Sequence, residues 1–308
     1  MSDTYQQKFH RRWRNLSDPH VRALAWLLEA PALLDPEAAQ WQGKLANLNE
    51  SLPQNLEAWL QTLDDEPAAL HQHLDIHAYT RLGRYAEKLM AFYFAQLGML
   101  VAHGVQVRAD KNSTIGEFDF LLNINEEFVH WEFATKFYLL KPHTIGSDAD
   151  YFVGPNLADS LGAKMQKIFG RQLLLSQHPA AQIYLPQTVQ KAQALVKGWL
   201  FYQGDFHHEK ASGTSAAHCH GFWCLLSESD KLSAQRYAIL PRLSWLAPAR
   251  LALTSTVDQQ GLQEQLRLHF ALDRMPVMVA LLMQEGEHAV EVDRGFIVPD
   301  DWSQRALK

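Results

Sequence analysis

The sequence predicts an α/β protein with three consecutive regions. Residues 1–79 have the pattern of short helices, residues 80–204 combine an apolar helix, β-rich runs and a second helix, and residues 205–308 turn mainly to strands. The predicted organisation is an N-terminal helical layer, a central core and a C-terminal α+β extension. With 308 residues, of which 47% are hydrophobic, the chain can bury one large core or two ordinary ones.

The N-terminal region is predicted to contain a helix that starts at Pro19. Asp18 is a suitable cap before this proline, and Val21, Leu24 and Leu28 continue with helical spacing. A basic cluster lies before the helix and allows two interpretations, a solvated arm or a contact with nucleic acid. Its members are Lys8, His10, Arg11, Arg12 and Arg14.

The central region opens with a predicted helix over residues 81–97, which is apolar around most of its circumference and ends before Gly98. Glu87 shares a stripe of this helix with Met90 and Phe94, apart from the basic edge. Its carboxylate therefore points along a packed surface, where an uncompensated charge is costly. This placement favours a functional role for Glu87.

Three β-rich runs follow, at 99–107, 115–123 and 128–138. Asn125 and Glu126 lie midway between the last two runs and predict the tip of a hairpin. Any even-length loop centred on these two residues places Asp119 opposite Glu132. Opposed residues have Cβ atoms about 4.5–5.5 Å apart, so the two carboxylates would repel each other unless a cation lies between them.

Strand alternation predicts that the hairpin has one apolar and one polar face. The apolar face comprises Phe118, Phe120, Leu122, Trp131, Phe133, Thr135 and Phe137. The polar face comprises Glu117, Asp119, His130, Glu132, Lys136 and Tyr138. A solvated outer face of an antiparallel hairpin has the same pattern, so a structural interpretation stays open beside a functional one. The acid on the preceding helix favours the functional interpretation.

At these residues the chain resembles the PD-(D/E)XK nuclease superfamily, whose core carries a helical Glu, an Asp on the second strand and a Glu-x-Lys on the third. Within it, the runs Gly-Glu-Phe-Asp-Phe-Leu-Leu and Trp-Glu-Phe-Ala-Thr-Lys-Phe-Tyr resemble a bacterial family of unknown function (domain of unknown function 1853). The resemblance covers about residues 80–200 and implies a restriction-endonuclease-like core, a mixed sheet flanked by helices. Glu87, Asp119 and Glu132 match the three acids.

The resemblance implies metal-dependent hydrolysis of phosphodiester bonds in nucleic acid, with DNA as the expected substrate. Asp119 and Glu132, with the backbone carbonyl of Phe133, would bind Mg²⁺, and Mn²⁺ would substitute for it. Glu87 would support this site or bind a second ion, and Lys136 would orient water or stabilise the transition state. Glu117 allows two interpretations, a direct role or a solvated strand residue.

The chain departs from the superfamily at the lysine. The usual position, two residues after Glu132, holds Ala134, and Lys136 lies two residues further along the strand. That distance is roughly 6.6 Å, and a lysine side chain on the same face spans most of it. If Lys136 does not substitute, the alternative is a decayed nuclease core that binds nucleic acid or assembles with it without cutting.

Basic residues are concentrated in one part of an otherwise acidic chain. The formal net charge is -6, which argues against indiscriminate binding of polyanions, yet residues 161–204 contain no Asp or Glu. Lys164, Lys167 and Arg171 fall at i, i+3 and i+7 on a predicted helix over 159–175, so they share a face. They are predicted to contact the nucleic acid backbone, and a solvated helix surface is the alternative.

The C-terminal region is predicted to contain strands at 220–226, 236–240, 276–283 and 289–298, with a helix at 262–272. They either extend the core sheet or form a separate appendage. A rival site is a zinc-binding cluster, although its spacing matches no familiar zinc module. Its members are His207, His208, His218, Cys219, His220 and Cys224.

Cysteine content and hydropathy predict the compartment. Two cysteines give no disulfide framework, and no apolar run approaches the roughly 20 residues of a membrane span. The first residues also lack the apolar segment of a signal peptide. The sequence therefore predicts a cytoplasmic protein without membrane partners, and it leaves the oligomeric state open.

Overall fold

The chain folds around one large mixed sheet. The computed structural model describes residues 3–75, 81–110, 113–142, 148–204 and 212–307. The helices are α1 (Tyr5–Arg12), α2 (Pro19–Glu29), α3 (Leu56–Asp65), α4 (Ala68–Leu74), α5 (Leu82–Gln96), α6 (Leu161–Lys167), α7 (Gln259–Leu272) and α8 (Trp302–Ala306). The strands are β1 (Leu100–Asp110), β2 (Ser113–Ile124), β3 (Glu127–Leu140), β4 (Phe152–Val153), β5 (Lys191–Gln203), β6 (Cys219–Leu225), β7 (Arg236–Leu240), β8 (Arg250–Ala252), β9 (Val277–Glu285) and β10 (His288–Val298).

The ten strands follow the order β1-β2-β3-β5-β6-β10-β9-β7, with β4 beside β3 and β8 beside β10. The central strands β3, β5, β6 and β10 are parallel to their neighbours in that series, and the strands at both ends pair antiparallel. The predicted α/β class with a mixed sheet flanked by helices is therefore confirmed. The C-terminal strands extend the central sheet, which decides between the two predicted arrangements.

Helices cover both faces of the sheet. On one face, α2 and α5 pack on the sheet in a hydrophobic cluster that also includes Phe9 near the N-terminus and Ala306 near the C-terminus. On the opposite face, Leu161 and Met165 of α6 pack on Ala134 and Tyr138 of β3. Burial of these apolar stripes drives the assembly of the layers.

Local sequence signals explain where the key elements begin and turn. Pro19 opens α2, and the Asp18 carboxylate accepts hydrogen bonds from the backbone N–H groups of His20 and Val21 at 2.9 and 3.0 Å. Asn125 and Glu126 take left-handed φ values of 49° and 67°, as a two-residue type I′ hairpin turn requires. Both features agree with the sequence predictions.

The helix predicted over 159–175 is shorter and less regular than expected. Its α-helical part is α6, and a π-helical segment, Ile168–Gln172, continues it. The backbone N–H of Leu173 bonds to the carbonyl of Ile168, five residues back, at 3.0 Å. Such a wider turn shifts the residues after it around the axis. The α-helix therefore ends at Lys167, and Arg171 lies in the π-helical segment that follows it.

None of the helices in the described ranges combines the length and apolarity that a membrane span requires.

Candidate active site

The predicted acidic pair lies where β2 and β3 separate. Their ladder has the predicted register and ends at the pair Phe120–Trp131. Beyond that pair, β3 continues beside β5, and β2 continues beside β1. The gap is bridged by a side chain, because the Asp119 carboxylate accepts a hydrogen bond from the Phe133 N–H at 2.9 Å. Asp119 and Glu132 thus occupy a fork in the sheet.

One face of the hairpin differs from the prediction at this fork. Phe118 was expected beside Phe120 and Leu122, but it packs in a different cluster with Leu121. Its ring meets the His130 ring edge-on, with centroids 4.7 Å apart. This change of side occurs where β2 loses β3 as a neighbour and where β1 has Gly104, with a left-handed φ of 65°, between the partners of Phe118 and Phe120.

Glu132 is held by two residues that the sequence analysis did not assign to the site. It is 1% exposed, its Oε1 lies 2.8 Å from Nε2 of His130, and its Oε2 accepts a hydrogen bond from the Gln172 amide at 2.5 Å. Burial lowers the pKa of His130 to about 4, so the neutral imidazole supplies no charge to offset the carboxylate. His130 precedes Glu132 by two residues on the same strand face, and this spacing could have identified it. Gln172 carries no comparable signal.

Four acidic residues converge at the fork. The pKa values of Glu87, Asp119 and Glu132 are each raised to about 7, first by burial. Repulsion adds to this effect, because Asp119 and then Glu117 raise the pKa of Glu87, and Glu132 raises that of Asp119. The structure therefore brings together the acids predicted from the helix and the hairpin. Near neutral pH they share an excess of negative charge.

Lys164, from α6, is close enough to Glu132 for its charge to act on this carboxylate. Its charge opposes the rise in the pKa of Glu132. Burial lowers the pKa of Lys136 to about 8, followed by repulsion from Lys164, and the carboxylates that favour its charge are Asp159 and Glu87. Ala134 is 7% exposed and packs under α6. The usual lysine position is therefore filled by helix packing, and the helix itself brings a lysine to the site.

Two clefts adjoin the acidic fork. The first, called the Arg171 cleft, measures about 530 Å³, and its lining includes Glu117, Lys167, Arg171, Gln172 and Leu175. The second, called the Arg242 cleft, measures about 280 Å³, and its lining includes Arg81, Gly83, Thr135, Lys136, Arg242 and Trp245. Glu117 and Gln172 connect the fork to the Arg171 cleft, and Lys136 connects it to the Arg242 cleft. Two of the three basic residues predicted on the helix, Lys167 and Arg171, thus line one cleft.

The donor atoms at the fork fit a hard divalent cation. All are oxygens, three of the acids have strongly raised pKa values, and the buried Oε1 of Gln172 has no hydrogen-bond partner among the described residues. An ionised carboxylate has about four lone-pair sites, so the contacts of Glu132 with His130 and Gln172 leave acceptor capacity. Across the described ranges, however, no group of three or more His, Cys, Asp or Glu side chains is already arranged to hold a metal.

In the rival His/Cys cluster the two cysteines are separated, whereas the ring centroids of His218 and His220 lie 6.2 Å apart. Cys219 packs in the large cluster with Trp199, whereas Cys224 packs in another cluster with Leu262 of α7. Burial raises the pKa of both thiols to about 12, which disfavours the thiolate that zinc requires. His207 and His208 lie outside the described residues.

Comparison with protein families identifies a family whose model covers most of the chain. The model of a family described as Domain of unknown function (DUF1853) matches residues 22–298, a stretch that contains the acidic fork and the lining of both clefts. No curated protein and no solved structure matches the chain.

Proposed function

The chain belongs to the DUF1853 family, and from its site we propose that it is a metal-dependent nuclease that hydrolyses phosphodiester bonds, with DNA as the expected substrate. The observation that carries the proposal is the convergence of Glu87, Asp119 and Glu132 at a fork in the sheet, each with a pKa raised to about 7. Acids in this state, beside clefts with basic walls, are typical of catalytic sites rather than of structural ion pairs. The resemblance to the PD-(D/E)XK superfamily supports the same reaction.

Each residue at the fork has a role in the proposed reaction. Asp119 and Glu132, with the Phe133 carbonyl, would hold Mg²⁺ or Mn²⁺, which supplies Lewis acidity to the phosphate oxygens when bound. His130 and Gln172 fix the Glu132 carboxylate through their two contacts. Such supporting contacts keep a ligand in one orientation.

Proton transfer and charge stabilisation come from the groups around these acids. Glu87 has a pKa of about 7, so its carboxylate exchanges a proton readily at neutral pH and suits the activation of water. Lys164 and Lys136 offset the negative charge that develops on the phosphate in the transition state. Lys164 lies on the helix that packs with Ala134, and its charge favours the ionised form of Glu132, so it is the candidate to replace the lysine missing at position 134.

The Arg171 cleft provides a place for the nucleic acid. Lys167 and Arg171 are exposed at its wall, where they can contact phosphates, while Leu174 and Leu175 supply apolar surface for a sugar or base. Cationic walls with apolar surface between them are the usual design of a groove for nucleic acid.

A second candidate function is a non-catalytic protein that binds nucleic acid through the same surface. Two observations favour it: Ala134 replaces the usual lysine, and Glu132 already gives both oxygens to protein partners. This candidate predicts salt-sensitive binding without turnover.

A cleavage assay separates the two candidates. Single-stranded, duplex and branched DNA and RNA would be incubated with Mg²⁺ or Mn²⁺ and the natural protein, Glu132→Gln or Glu264→Gln. The last is a matched control, because Glu264 is an exposed residue of α7 outside the lining of both clefts. We expect metal-dependent products that fall at least about a hundredfold with Glu132→Gln and are unchanged with Glu264→Gln.

Two other outcomes have definite meanings. Undiminished cleavage by Glu132→Gln would contradict the assigned site. Binding without cleavage by the natural protein, on every substrate and with both metals, would favour the non-catalytic candidate.

A further inference from the structure

The Arg242 cleft is assembled from five segments of the chain, and two of them, at 154–159 and at 275–276, complete the walls formed by the other three. Arg81 and Gly83 come from the start of α5, Thr135 and Lys136 from the second half of β3, and Arg242 and Trp245 from the turn after β7. The central region and the C-terminal region thus build one recess together. The sequence analysis assigned no site to the C-terminal wall of this recess.

The recess opens beside the acidic fork. A Cβ atom placed on Gly83 would lie 4.0 Å from Oε1 of Glu87, so this carboxylate borders the cleft wall at Gly83. Lys136 lines the cleft, and its charge is favoured by Glu87. A ligand in the cleft would therefore lie next to the proposed reaction centre.

The charge of the lining suits an anion. Its basic residues are Arg81, Lys136 and Arg242, and its acidic residue is Asp159, whose Oδ2 accepts a hydrogen bond from the Tyr138 hydroxyl at 2.8 Å. No carboxylate in the described part of the chain forms an ion pair with Arg81 or Arg242. The lining thus carries an excess of two positive charges in a chain whose net charge is -6.

The remaining surface suits a planar group. Trp245 is half-buried, its ring meets Phe296 edge-on with centroids 5.1 Å apart, and its indole N–H donates to the Leu240 carbonyl at 3.0 Å. The Arg242 guanidinium lies 5.5 Å from the centroid of the same ring. The buried hydroxyl oxygen of Thr135 lines the cleft without a hydrogen-bond partner among the described residues. Aromatic rings and guanidinium groups stack on nucleobases, and a hydroxyl without a partner can form a hydrogen bond with the polar edge of a base.

We infer that the Arg242 cleft binds one unpaired nucleotide of the substrate, with Arg81 and Arg242 on the phosphate and Trp245 beside the base. The identity of the ligand rests on the proposed function. The volume of about 280 Å³ is at the lower end for small-molecule sites, which suits one nucleotide and excludes a duplex. The substrate class is therefore nucleic acid with a single-stranded segment or an extruded nucleotide next to the cleaved bond.

A binding experiment in EDTA tests this inference without requiring cleavage. Fluorescence anisotropy would compare a labelled single-stranded oligonucleotide with a duplex of the same length, using the natural protein, Arg81→Ala, Arg242→Ala and Arg267→Ala. Arg81 and Arg242 are exposed, so both variants should fold, and equal thermal melting would confirm it. Arg267 is an exposed control on α7 that loses the same charge.

We expect Arg81→Ala and Arg242→Ala each to weaken single-strand binding at least about fivefold, with duplex binding changed less than about twofold and Arg267→Ala without effect. Unchanged single-strand affinity in both variants, or an equal loss for the duplex, would overturn the inference. The nuclease proposal is judged separately by Glu132→Gln. If binding depends on Arg242 but the protein never cleaves, the inference about the cleft stands and the proposed nuclease activity is wrong.

Discussion

At the scale of single residues, the site is defined by acids that hold their protons to an unusually high pH. Burial raises the pKa values of Glu87, Asp119 and Glu132 to about 7, and their mutual repulsion adds to this. The neighbouring imidazole, His130, is neutral because burial lowers its pKa to about 4. Without a cation, the fork is therefore least strained when its carboxyls are protonated.

This charge state predicts how the stability of the metal-free protein depends on pH. A carboxyl whose pKa is higher in the folded state than in the unfolded state stabilises the fold at low pH, and this stabilisation is lost as the pH rises through about 7. In EDTA, we expect this effect to lower the melting temperature between pH 5 and pH 8, while His10 and His130, whose pKa values burial lowers to about 3 and about 4, act in the opposite direction below about pH 6.5. In Glu132→Gln the fall should be smaller by roughly 2 °C or more.

Comparing the natural protein with Glu132→Gln isolates the contribution of the fork to the pH dependence of the melting temperature. Asp293, whose pKa burial also raises to about 7, titrates in both proteins and cancels. The Gln172 amide can turn its free oxygen toward the new amide group, so the substitution leaves a hydrogen bond available. Identical pH profiles would show that Glu132 does not titrate as proposed.

The residues of the site differ in how far the sequence predicts them. Asp119 and Glu132 could be predicted from the register of the hairpin, and Glu87 could be predicted from its place in an apolar helical stripe. Gln172 could not be predicted, because its contact with Glu132 depends on a π-helical turn 40 residues away in the chain. Lys164 was predicted as a contact for nucleic acid, and the structure also places it close enough to Glu132 for its charge to act on this carboxylate.

At the scale of elements, the packing of α6 over β3 determines which positions near the fork can hold a lysine. Ala134 lies against Leu161 and Met165 with 7% of its surface exposed. A small side chain at this position lets the helix approach the strand. The same helix then carries Lys164 to the fork and leads into the segment that carries Gln172.

This packing predicts that Ala134→Lys does not restore a superfamily-like site. The larger side chain overfills a packed interface, and its charge would be desolvated, so we expect a loss of at least roughly 1–3 kcal/mol in the free energy of unfolding. Cleavage should fall rather than rise. Urea unfolding would measure the loss, and Ala163→Lys, at an exposed position of α6, is the matched control. A stable variant with faster cleavage would show that the position is open to a lysine.

The bounds of the predicted elements agree with the structure to within a few residues except at two places, but the sequence pattern did not indicate β5, a central strand of the sheet. The helix over 159–175 has apolar and basic residues at helical spacing, and nothing in that pattern indicates an i to i+5 bond. The alternation of Phe118 and Phe120 fails only where β2 leaves β3. In both cases a tertiary contact at the site overrides a local periodicity.

At the scale of the whole molecule, charge and architecture are unevenly distributed. The chain is acidic overall, yet Lys164, Lys167 and Arg171 lie together with no acidic residue in 161–204. A buried ion pair, Glu291–Arg294, fixes the C-terminal wall, because the Arg294 guanidinium also donates to the carbonyls of Trp245 and Ala247. The two clefts are therefore recesses lined by basic residues in a chain that is acidic overall.

This distribution predicts a modest salt dependence of binding. Each phosphate that a protein cation neutralises on a single strand adds about −0.7 to the slope of log K against log salt, so a few contacts should give a slope of roughly −2 to −4. Replacing Lys167 and Arg171 by Ala together should reduce its magnitude by about 1.4. Anisotropy titrations at several salt concentrations would measure both, with Arg267→Ala as the control. An unaltered slope in the double variant would show that Lys167 and Arg171 do not contact the nucleic acid.

The overall architecture is the part that the sequence predicts least completely. Its α/β class and the order of elements from α5 to β3 follow from periodicity and turn residues. The parallel pairing of β5, β6 and β10 cannot be predicted from such local signals, because it joins strands that are distant in the chain. The same limit applies to Arg242 and Trp245, which reach the site only through that pairing.

The continuous sheet has a consequence for anyone who wishes to shorten the protein. A fragment ending near residue 204 would leave β5 without β6, and its largely apolar edge would offer unpaired backbone groups to other chains. Such a fragment would also lack one wall of the recess beside the acids. The region around the acidic fork is thus not a detachable module, and a shortened version has to retain the strands that follow it to keep both clefts.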